Sequence, residues 1–394
     1  MKRIMFSLIG EQTAPNLFLH LHFEPDIHCL LYSKKTGRQK ENLTKAVGMW
    51  AEEMRKNKPD IQGVLLEHEN NWGYVRDVVT KNMRKLACDS KVILNLTSGT
   101  KPMNIGMWEA KKTIPRTTVV YLDGTQVRYM DATSKTEPLR QEPSIRVFVR
   151  GYGYEVKETT PDSSELRLLV RTSEVLATEP RVRKWLYDIK KPNTDRVITQ
   201  RLLPEDLVQD LIKAGFVLEK DGGISICRED VFREKGLKTL ENFWTGDWLS
   251  LFLWKLIKEK LGNREVLVGT KLVDVSGKQG TNEVDVMFFK DWKLYCVECK
   301  VSKQIGKNEP FYKIKQVTKD LGGIFAVPVL VTIRMVQKAY YDDTVKHVVL
   351  KEDVTSFMKE IEKILNEDEG AQNKAPASDS TLTLKPRSLG DLSL

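Results

Sequence analysis

Three charged side chains in the C-terminal half of the chain have the types and spacing that phosphodiester hydrolysis requires. Asp285 precedes Glu298, and Lys300 lies two residues after Glu298. Carboxylates are hard oxygen ligands that hold Mg²⁺ or Mn²⁺ and leave coordination positions for water and substrate. A lysine beside them orients the attacking water or stabilises developing charge. The three residues therefore indicate metal-assisted hydrolysis of a phosphate ester, which is very slow without a catalyst.

A β-hairpin must bring these side chains together. Two apolar-rich runs, 283–289 and 293–299, flank a short turn at 290–291, and this pattern predicts two paired strands. Because side chains alternate along a strand, Glu298 and Lys300 share one face. An acid on the first strand then lies beside an acid and a lysine on the second.

The first strand carries a further acid. Alternation places Glu283 on the same face as Asp285, with Val284, Val286 and Phe288 on the opposite face. Glu283 is therefore a candidate third metal ligand. A solvated strand face with cross-strand ion pairs explains the same charges, so alternation alone leaves both interpretations open.

The order of the surrounding elements resembles a known family. Apolar patterning predicts these elements: a helix at 243–261, a strand at 265–273, the hairpin, a helix at 309–321 and a strand at 324–332. An acid followed after a hairpin by Glu-x-Lys, in this order, resembles the PD-(D/E)xK nuclease family. The resemblance implies a restriction-endonuclease-like domain over 241–366.

That resemblance also implies roles for the charged residues. Asp285 and Glu298 would hold Mg²⁺ or Mn²⁺, and Lys300 would assist the attacking water. Gln316, on the following helix, is a candidate for supporting the water or the phosphate, and a solvated helix face is its alternative. DNA and RNA both remain open as substrates, because strand patterns do not reveal groove shape or 2′-hydroxyl contacts.

One position departs from the family's pattern. Such relatives often place a glutamate on the first helix, inside a Gly-x-Trp-Leu-Glu pattern, whereas the corresponding stretch 246–250 ends in Ser250. Three alternatives remain: Glu283 or Asp247 compensates, one metal ion is held weakly, or activity is reduced. A ligand-regulated protein that grips nucleic acid without cutting it is the competing function.

The N-terminal 140 residues have the pattern of an α/β domain. Apolar runs predict strands at 2–9, 27–33, 61–67, 92–97 and 117–122. Helical periodicity appears at 41–57 and 72–87. This alternation predicts a parallel, Rossmann-like sheet covered on both faces, with the first and fourth strands as neighbours.

Two loops of this domain suit an anionic ligand. One follows the first strand at 7–15, and the other follows the fourth strand at 97–104. Each combines a glycine, hydroxyl or amide side chains and a proline suited to a first helical turn. Free N–H groups at a helix start attract phosphate, and Lys101 adds a full charge. Both loops are expected at the topological switch point of the sheet, unless they merely cap helices.

The loop sequences resemble the ligand loops of CARF domains. A CARF domain followed by a PD-(D/E)xK domain is similar to the cyclic-oligoadenylate-activated ancillary nucleases of type III CRISPR systems. The resemblance implies a homodimer that binds cyclic tetra-adenylate on its two-fold axis and cuts nucleic acid through paired nuclease domains. By motif match, the ligand-facing candidates are Gly10, Gln12, Thr13, Thr97, Ser98, Gly99, Thr100, Lys101 and Asn104.

Two further segments complete the predicted organisation. Residues 141–240 form a connector, in which 207–226 has the pattern of a helix and a hairpin around 221–223 and resembles a small winged-helix module. Packing between domains is its preferred role, and sequence-specific DNA binding by a transcription regulator is the alternative. Residues 367–394 have little to bury and predict a disordered tail.

Composition limits the classes of partner and compartment. The 394 residues carry a formal charge of +9, which favours polyanionic partners such as DNA or RNA. No apolar run is long enough to cross a bilayer, so no membrane partner is expected. Five cysteines without a framework spacing fit a reducing cytoplasm. Cys296 and Cys299 are expected on opposite strand faces, which excludes a shared metal.

Overall fold

A computed structural model of the chain describes most of the sequence. The described residues are 1–86, 90–114, 116–130, 135–158, 164–182, 197–199, 203–220, 223–226, 243–277, 282–301, 309–333, 336, 342–351 and 353–372. Among these residues, no helix combines the length and apolar composition that a bilayer crossing requires.

Seven strands of the N-terminal half form one sheet. They are β1 (Arg3–Leu8), β2 (Ile27–Tyr32), β3 (Asp60–Leu65), β4 (Lys91–Asn95), β5 (Thr117–Asp123), β6 (Gln126–Tyr129) and β7 (Thr136–Pro138). Their order is β3-β2-β1-β4-β5-β6-β7, with β1 to β5 parallel and the last two strands antiparallel. The predicted parallel sheet, with β1 beside β4, is confirmed.

Helices cover both faces of this sheet, because its strands are apolar on both sides. They are α1 (Ala14–Phe23), α2 (Gly37–Glu53), α3 (Trp72–Leu86) and α4 (Lys101–Ala110). On β1, Ile4 and Phe6 belong to one buried cluster and Met5 to another, as in sheets buried on both faces. The predicted helix at 41–57 is displaced: it begins after a 3₁₀ turn and ends before Arg55, whose φ is +52°.

The described part of the middle region includes helices and a small sheet. Its elements are α5 (Ile145–Gly151), β8 (Tyr154–Glu158), α6 (Ser164–Thr178), β9 (Val197–Thr199), α7 (Glu205–Lys213), β10 (Val217–Lys220) and β11 (Gly223–Ile226). Strands β10, β11 and β9 pair antiparallel in that order. The expected helix and hairpin are present, although turn residues 221–222 lie outside the described part. The winged-helix-like interpretation stays a prediction, since 183–196 and 227–242 are also outside it.

The C-terminal half is built around a second sheet. Its elements are a π-helical turn (Phe243–Asp247), α8 (Trp248–Leu261), β12 (Val266–Asp274), β13 (Asn282–Lys290), β14 (Lys293–Lys300), α9 (Glu309–Gly322), β15 (Ala326–Thr332), β16 (Lys346–Val349) and α10 (Val354–Gln372). The strand order is β16-β15-β14-β13-β12-β8, so β8 from the connector completes this sheet. Helix α10 continues past the predicted start of the tail, and residues 373–394 lie outside the described part.

Helices α8 and α9 pack on opposite faces of the second sheet. Trp248 of α8 shares a buried cluster with Val297 and Cys299, whereas Phe311 of α9 shares another cluster with Cys296. The two cysteines therefore lie on opposite faces, as the sequence predicts. The face under α8 is continuous with the core of the connector, including α6 and α7.

An aromatic cluster joins the two halves of the chain. The rings of Phe18 in α1 and Trp292 have centroids 5.1 Å apart, and Phe148 of α5 lies 5.1 Å from Phe289 of β13. Phe325 lies 5.4 Å from Phe18 in an edge-to-face arrangement. The N-terminal sheet, α5 and the second sheet therefore share one continuous apolar core.

Gly106 permits the close approach of α3 and α4, and its replacement tests that packing. A Cβ at position 106 would lie 2.6 Å from the carbonyl oxygen of Trp72 and 2.8 Å from the Cβ of Val75. We expect Gly106→Ala to lower the unfolding free energy by about 1–3 kcal/mol, because helix backbones cannot separate without opening the core. Thermal or urea unfolding measures the change.

Gly48→Ala is the matched control. Gly48 also lies inside a helix, and its added Cβ would meet only the flexible end of Lys58, at 3.4 Å. Helix propensity then favours alanine by up to about 1 kcal/mol, so stability should be kept or raised. Equal effects of the two substitutions would contradict the packing argument.

Candidate functional site

The hairpin that carries the three charged residues is formed by β13 and β14. Lys290 pairs with Lys293, so the turn residues are Asp291 and Trp292, one position later than predicted. Their φ angles are +50° and +64°. Tryptophan is unusual in such a turn, and the packing of its ring on Phe18 compensates for the strained backbone.

Strand β13 does not alternate regularly at Asp285, which corrects the sequence prediction. Val284 belongs to the cluster that contains Met287, whereas Val286 belongs to the opposite one. Within the described sheet, Val284 and Val286 have register partners on β12, but Asp285 has none on either side. Gly269, at the facing position of β12, has a φ of +57°. The backbone is therefore distorted at the candidate ligand, as is common beside functional sites.

Glu298 is the most enclosed charged group of the site. Its side chain is 1% exposed, and its Oε1 accepts hydrogen bonds from two ammonium groups. Lys300 Nζ lies 2.6 Å from this oxygen, and Lys313 Nζ of α9 lies 2.9 Å from it. Although burial lowers the pKa of Lys300, attraction to Glu298 raises it above its usual value. A buried carboxylate is thus compensated by two cations that are each partly in solvent.

Asp285 lies close enough to feel the charge of Glu298. Its Oδ2 accepts a hydrogen bond of 2.7 Å from the backbone N–H of Cys299, which follows Glu298 on β14. Burial and the negative charge of Glu298 raise the pKa of Asp285 to about 7. The structure therefore brings together the Asp, Glu and Lys that the sequence singled out.

The start of α8 forms another wall of the site. Ser250, which stands where related sequences often have glutamate, is buried and hydrogen-bonds the thiol of Cys299. Burial, with Asp285 nearby, raises the pKa of that thiol. Asp247 lies at the N-cap of α8, and its charge also raises the pKa of Asp285.

The donor set fits a hard divalent cation. Two carboxylates that repel one another on adjacent strands would each gain from a shared positive charge. Within the described residues, no group of three or more His, Cys, Asp or Glu side chains is arranged to hold a metal. Two carboxylates suit Mg²⁺ or Mn²⁺, which commonly keeps several water ligands, and do not suit a closed zinc site.

The two remaining candidates of the sequence analysis lie elsewhere on these elements. Glu283 stands opposite Lys271 of β12 in the strand register. Gln316 donates a hydrogen bond to Asp320 along the same helix, and its environment is exposed. Lys313, three residues earlier, is the α9 side chain that reaches Glu298. The sequence offers no signal that separates Lys313 from the other lysines of α9, because the position of a helix over a sheet is a tertiary property.

The two predicted ligand loops meet at the carboxyl ends of β1 and β4. A Cβ on Gly10 would lie 3.3 Å from the backbone nitrogen of Gly99, and Gly99 has a φ of +86°. Thr100 caps α4 by accepting a hydrogen bond from the N–H of Met103, and Lys101 is exposed at the first helical turn. The loops thus present backbone N–H groups and a cation to solvent.

Buried polar side chains, which the sequence analysis missed, hold these loops in place. The side-chain amide of Asn95 donates to Asn16 at 2.7 Å and to Ser7 at 3.2 Å, and its side-chain oxygen Oδ1 accepts from the N–H of Thr97. Asn16 in turn donates to the carbonyl of Leu8. The sequence did contain a signal for this network, because Ser7 and Asn95 are polar residues within otherwise apolar strands. The second loop is further fixed by Asn104, whose amide donates to the carbonyl of Ser98.

Gln12 and Thr13 face a different direction from the other loop candidates. Thr13 is buried and donates to the carbonyl of Gly151 at the end of α5. Gln12 accepts a hydrogen bond of 3.0 Å from the hydroxyl of Tyr152 and packs against Gly323, just after α9. The first loop therefore contacts the second sheet's domain as well as the second loop.

Comparison with known protein families gives a match for an N-terminal and a C-terminal domain of the chain. Residues 4–152 match the model of the Card1 CARF domain, and residues 238–367 match the Card1-like endonuclease domain. The chain therefore combines a CARF domain of the Card1 type with a Card1-like endonuclease domain. A sequence search of curated proteins gave no match.

Solved structures share the fold of this CARF endonuclease. Can2 from Sulfobacillus thermosulfidooxidans in complex with cyclic tetra-adenylate has a TM-score of 0.68 at 16% identity, covering 92% of this chain and 99% of Can2. Protein VC1899 from Vibrio cholerae has a TM-score of 0.71 at 13% identity, covering 92% and 98%. A type III CRISPR defence DNA nuclease activated by cyclic oligoadenylate has a TM-score of 0.60 at 18% identity; 96% of this chain matches about half, 53%, of that one.

The raised pKa of Asp285 predicts that its charge destabilises the fold, and its neutral analogue tests this. The unfolded chain loses the proton near pH 4, while the folded carboxyl keeps it until about pH 7, so stability falls as pH rises between these values. We expect Asp285→Asn to raise the unfolding free energy by at least about 1 kcal/mol near pH 8 and to change it little near pH 4. Unfolding in EDTA at both pH values measures the difference.

Asp77→Asn is the control for that comparison. Asp77 lies on α3 with 68% of its side chain exposed, and its partner is the adjacent Arg76. Removal of this exposed charge should change stability little at either pH. A stability gain for Asp285→Asn that is the same at both pH values would contradict the charge argument.

Proposed function

We propose that this CARF endonuclease cuts DNA, RNA or both with the help of Mg²⁺ or Mn²⁺, after a cyclic oligoadenylate binds the CARF loops. The observation that carries the proposal is the enclosed cluster of Asp285, Glu298 and Lys300 in a chain whose other half is a CARF domain. Such a protein serves type III CRISPR antiviral defence in the cytoplasm, where its free cysteines stay reduced.

Cyclic tetra-adenylate is the activator that the loops fit best. The related Can2 binds it, and the loops here offer the features that phosphate recognition needs. Exposed Lys101 stands at the N-terminus of α4, where N–H groups and the helix dipole favour negative charge. Gly10, Gly99, Thr97, Ser98, Thr100 and Asn104 complete the proposed binding surface, and Gln12 and Thr13 support the first loop.

A homodimer completes the ligand site in this proposal. Helix α4 exposes Ile105 and Trp108 beside the ligand loop, and α3 exposes Trp72. Large apolar side chains on one surface suit contact with a second copy. A cyclic tetranucleotide has approximate two-fold symmetry, so two copies of one basic loop grip it across an isologous interface.

The charged cluster performs the hydrolysis in this proposal. Asp285 and Glu298 hold the metal. When bound, a divalent cation neutralises phosphate charge and lowers the pKa of a coordinated water. Lys300 orients the attacking water and stabilises the negative charge that develops on phosphate. The positive net charge of the chain attracts either nucleic acid, and phosphate contacts dominate such binding.

A nucleic-acid-binding protein without cleavage activity is the second candidate. Ser250 favours it, because a hydroxyl bonded to a thiol replaces an acid at the wall of the site. Asp247 lies in the adjacent turn and supplies a negative charge near Asp285, which favours the hydrolytic function instead.

Removal of either cluster residue separates the two candidates. We expect Asp285→Ala and Lys300→Ala each to lower the cleavage rate by at least about 100-fold, because metal binding or water activation is lost. The measurement is cleavage of plasmid and single-stranded RNA with Mn²⁺, with and without cyclic tetra-adenylate. Tetra-adenylate binding should be unchanged in both variants.

Lys315→Ala is the matched control for these variants. Lys315 belongs to α9 and pairs with Asp342, so its loss leaves the charged cluster intact. Its cleavage rate should stay near that of the wild type. Binding of nucleic acid without cleavage by the activated wild type would favour the second candidate, and normal cleavage by both cluster variants would refute the site assignment.

The loop lysine tests the sensor half independently. We expect Lys101→Ala to weaken cyclic tetra-adenylate binding about tenfold or more, because a charge-assisted contact to phosphate is lost. Isothermal titration calorimetry measures the affinity, and one ring per two chains is the expected stoichiometry. Lys112→Ala, which removes a surface lysine paired with Glu109, should leave the affinity unchanged. Equal affinities for wild type and Lys101→Ala would contradict the loop assignment.

A further inference from the structure

Lys313 pairs with a carboxylate oxygen of Glu298, a proposed metal ligand. Its Nζ lies 2.9 Å from Glu298 Oε1, and Lys300 Nζ lies 2.6 Å from that atom. Glu298 itself is almost fully enclosed, so water has little access to this carboxylate. The metal-free site thus resembles a closed ion-pair triad.

A divalent cation bound to Glu298 would be repelled by both lysines. A cation at carboxylate-ligand distance would lie within a few ångströms of two ammonium groups, where like charges repel strongly. At least one lysine must therefore withdraw when the cation binds.

Lys313 is better placed to withdraw than Lys300. Lys300 lies on the same strand as Glu298, and it also interacts electrostatically with Asp285 at the centre of the site. Lys313 reaches in from a separate helix, and 47% of its side chain is exposed, compared with 37% for Lys300. A more exposed ammonium regains more hydration when it leaves the carboxylate, so the release of Lys313 costs less than that of Lys300.

The helix itself is held in place, so release requires only a change of side-chain conformation. Phe311 and Ile314 of α9 are buried on either side of Lys313 in sequence. At the other end, a Cβ on Gly322 would lie 2.6 Å from the Cβ of Ala326 and 3.0 Å from the ring of Phe148. Close packing at both ends fixes the helix axis.

We propose that Lys313 competes with the divalent cation for Glu298 and is displaced when the cation binds. In the metal-free protein Lys313 neutralises Glu298 and keeps the cation affinity low. Lys313 is thus an autoinhibitory, positioning residue of the site. The inference rests on the proposed metal-dependent function and adds a control of metal loading to it.

Direct measurement of Mn²⁺ binding tests the inference without any cleavage reaction. Isothermal titration of the full chain with Mn²⁺ should give a Kd for Lys313→Met that is about tenfold lower than for the wild type. Lys313→Arg, which keeps the charge, should bind Mn²⁺ with the affinity of the wild type. Lys315→Met removes a lysine of the same helix that pairs with Asp342, and it should also match the wild type.

The outcomes separate this inference from the proposed function. A Mn²⁺ affinity of Lys313→Met equal to or weaker than that of the wild type overturns the inference. If circular dichroism shows that the methionine variant is unfolded, Lys313→Gln takes its place in the experiment. Glu298→Gln should abolish the binding event. If the wild type shows no Mn²⁺ binding that depends on Glu298, the metal site itself fails, whatever the lysine variants do.

Discussion

Repulsion between two carboxylates is the constraint around which the second sheet is organised. Asp285 and Glu298 carry like charges on neighbouring strands, and burial strengthens their repulsion. The strands nevertheless stay together, because both faces of the sheet are packed by helices. Trp248 of α8 lies in the cluster on one face, and Phe311 of α9 lies in the cluster on the other. Apolar burial and the two lysines thus stabilise an arrangement in which the two carboxylates repel each other.

The properties of the charged site follow from the repulsion between Asp285 and Glu298. A carboxyl with a raised pKa and a distorted strand both cost stability, while two lysines compensate the second carboxylate. Strain and unfavourable charge of this kind concentrate at functional sites, because the surrounding fold tolerates them.

The two loops of the CARF domain are held by hydrogen bonds between polar side chains and backbone. Asn95 and Asn16 hydrogen-bond one another and fix the loops at both strand ends, where Asn16 donates to Leu8 and Asn95 accepts from Thr97.

Sequence patterns predicted the features that depend on local chemistry. Alternating strands and helices gave the N-terminal sheet, and the Glu-x-Lys spacing placed Glu298 and Lys300 on one strand face. Patterns failed where tertiary contacts decide the outcome. The turn shifted to Trp292 because its ring packs on Phe18. Alternation stopped at Asp285 because the strand is distorted there. Lys313 could not be singled out among the lysines of its helix, since only the folded sheet shows which one reaches Glu298.

The aromatic cluster between the two halves has a mechanical consequence. Phe18, Phe148, Phe289 and Trp292 interlock across the junction, and pulling them apart would wet several rings at roughly 1.5–3 kcal/mol each. An ion pair of 2.7 Å between Arg38 of α2 and Asp274 of β12 also connects the two halves. Within one chain, the CARF domain and the endonuclease domain are therefore joined by a closely packed junction. A hinge between the two domains must therefore lie outside this junction.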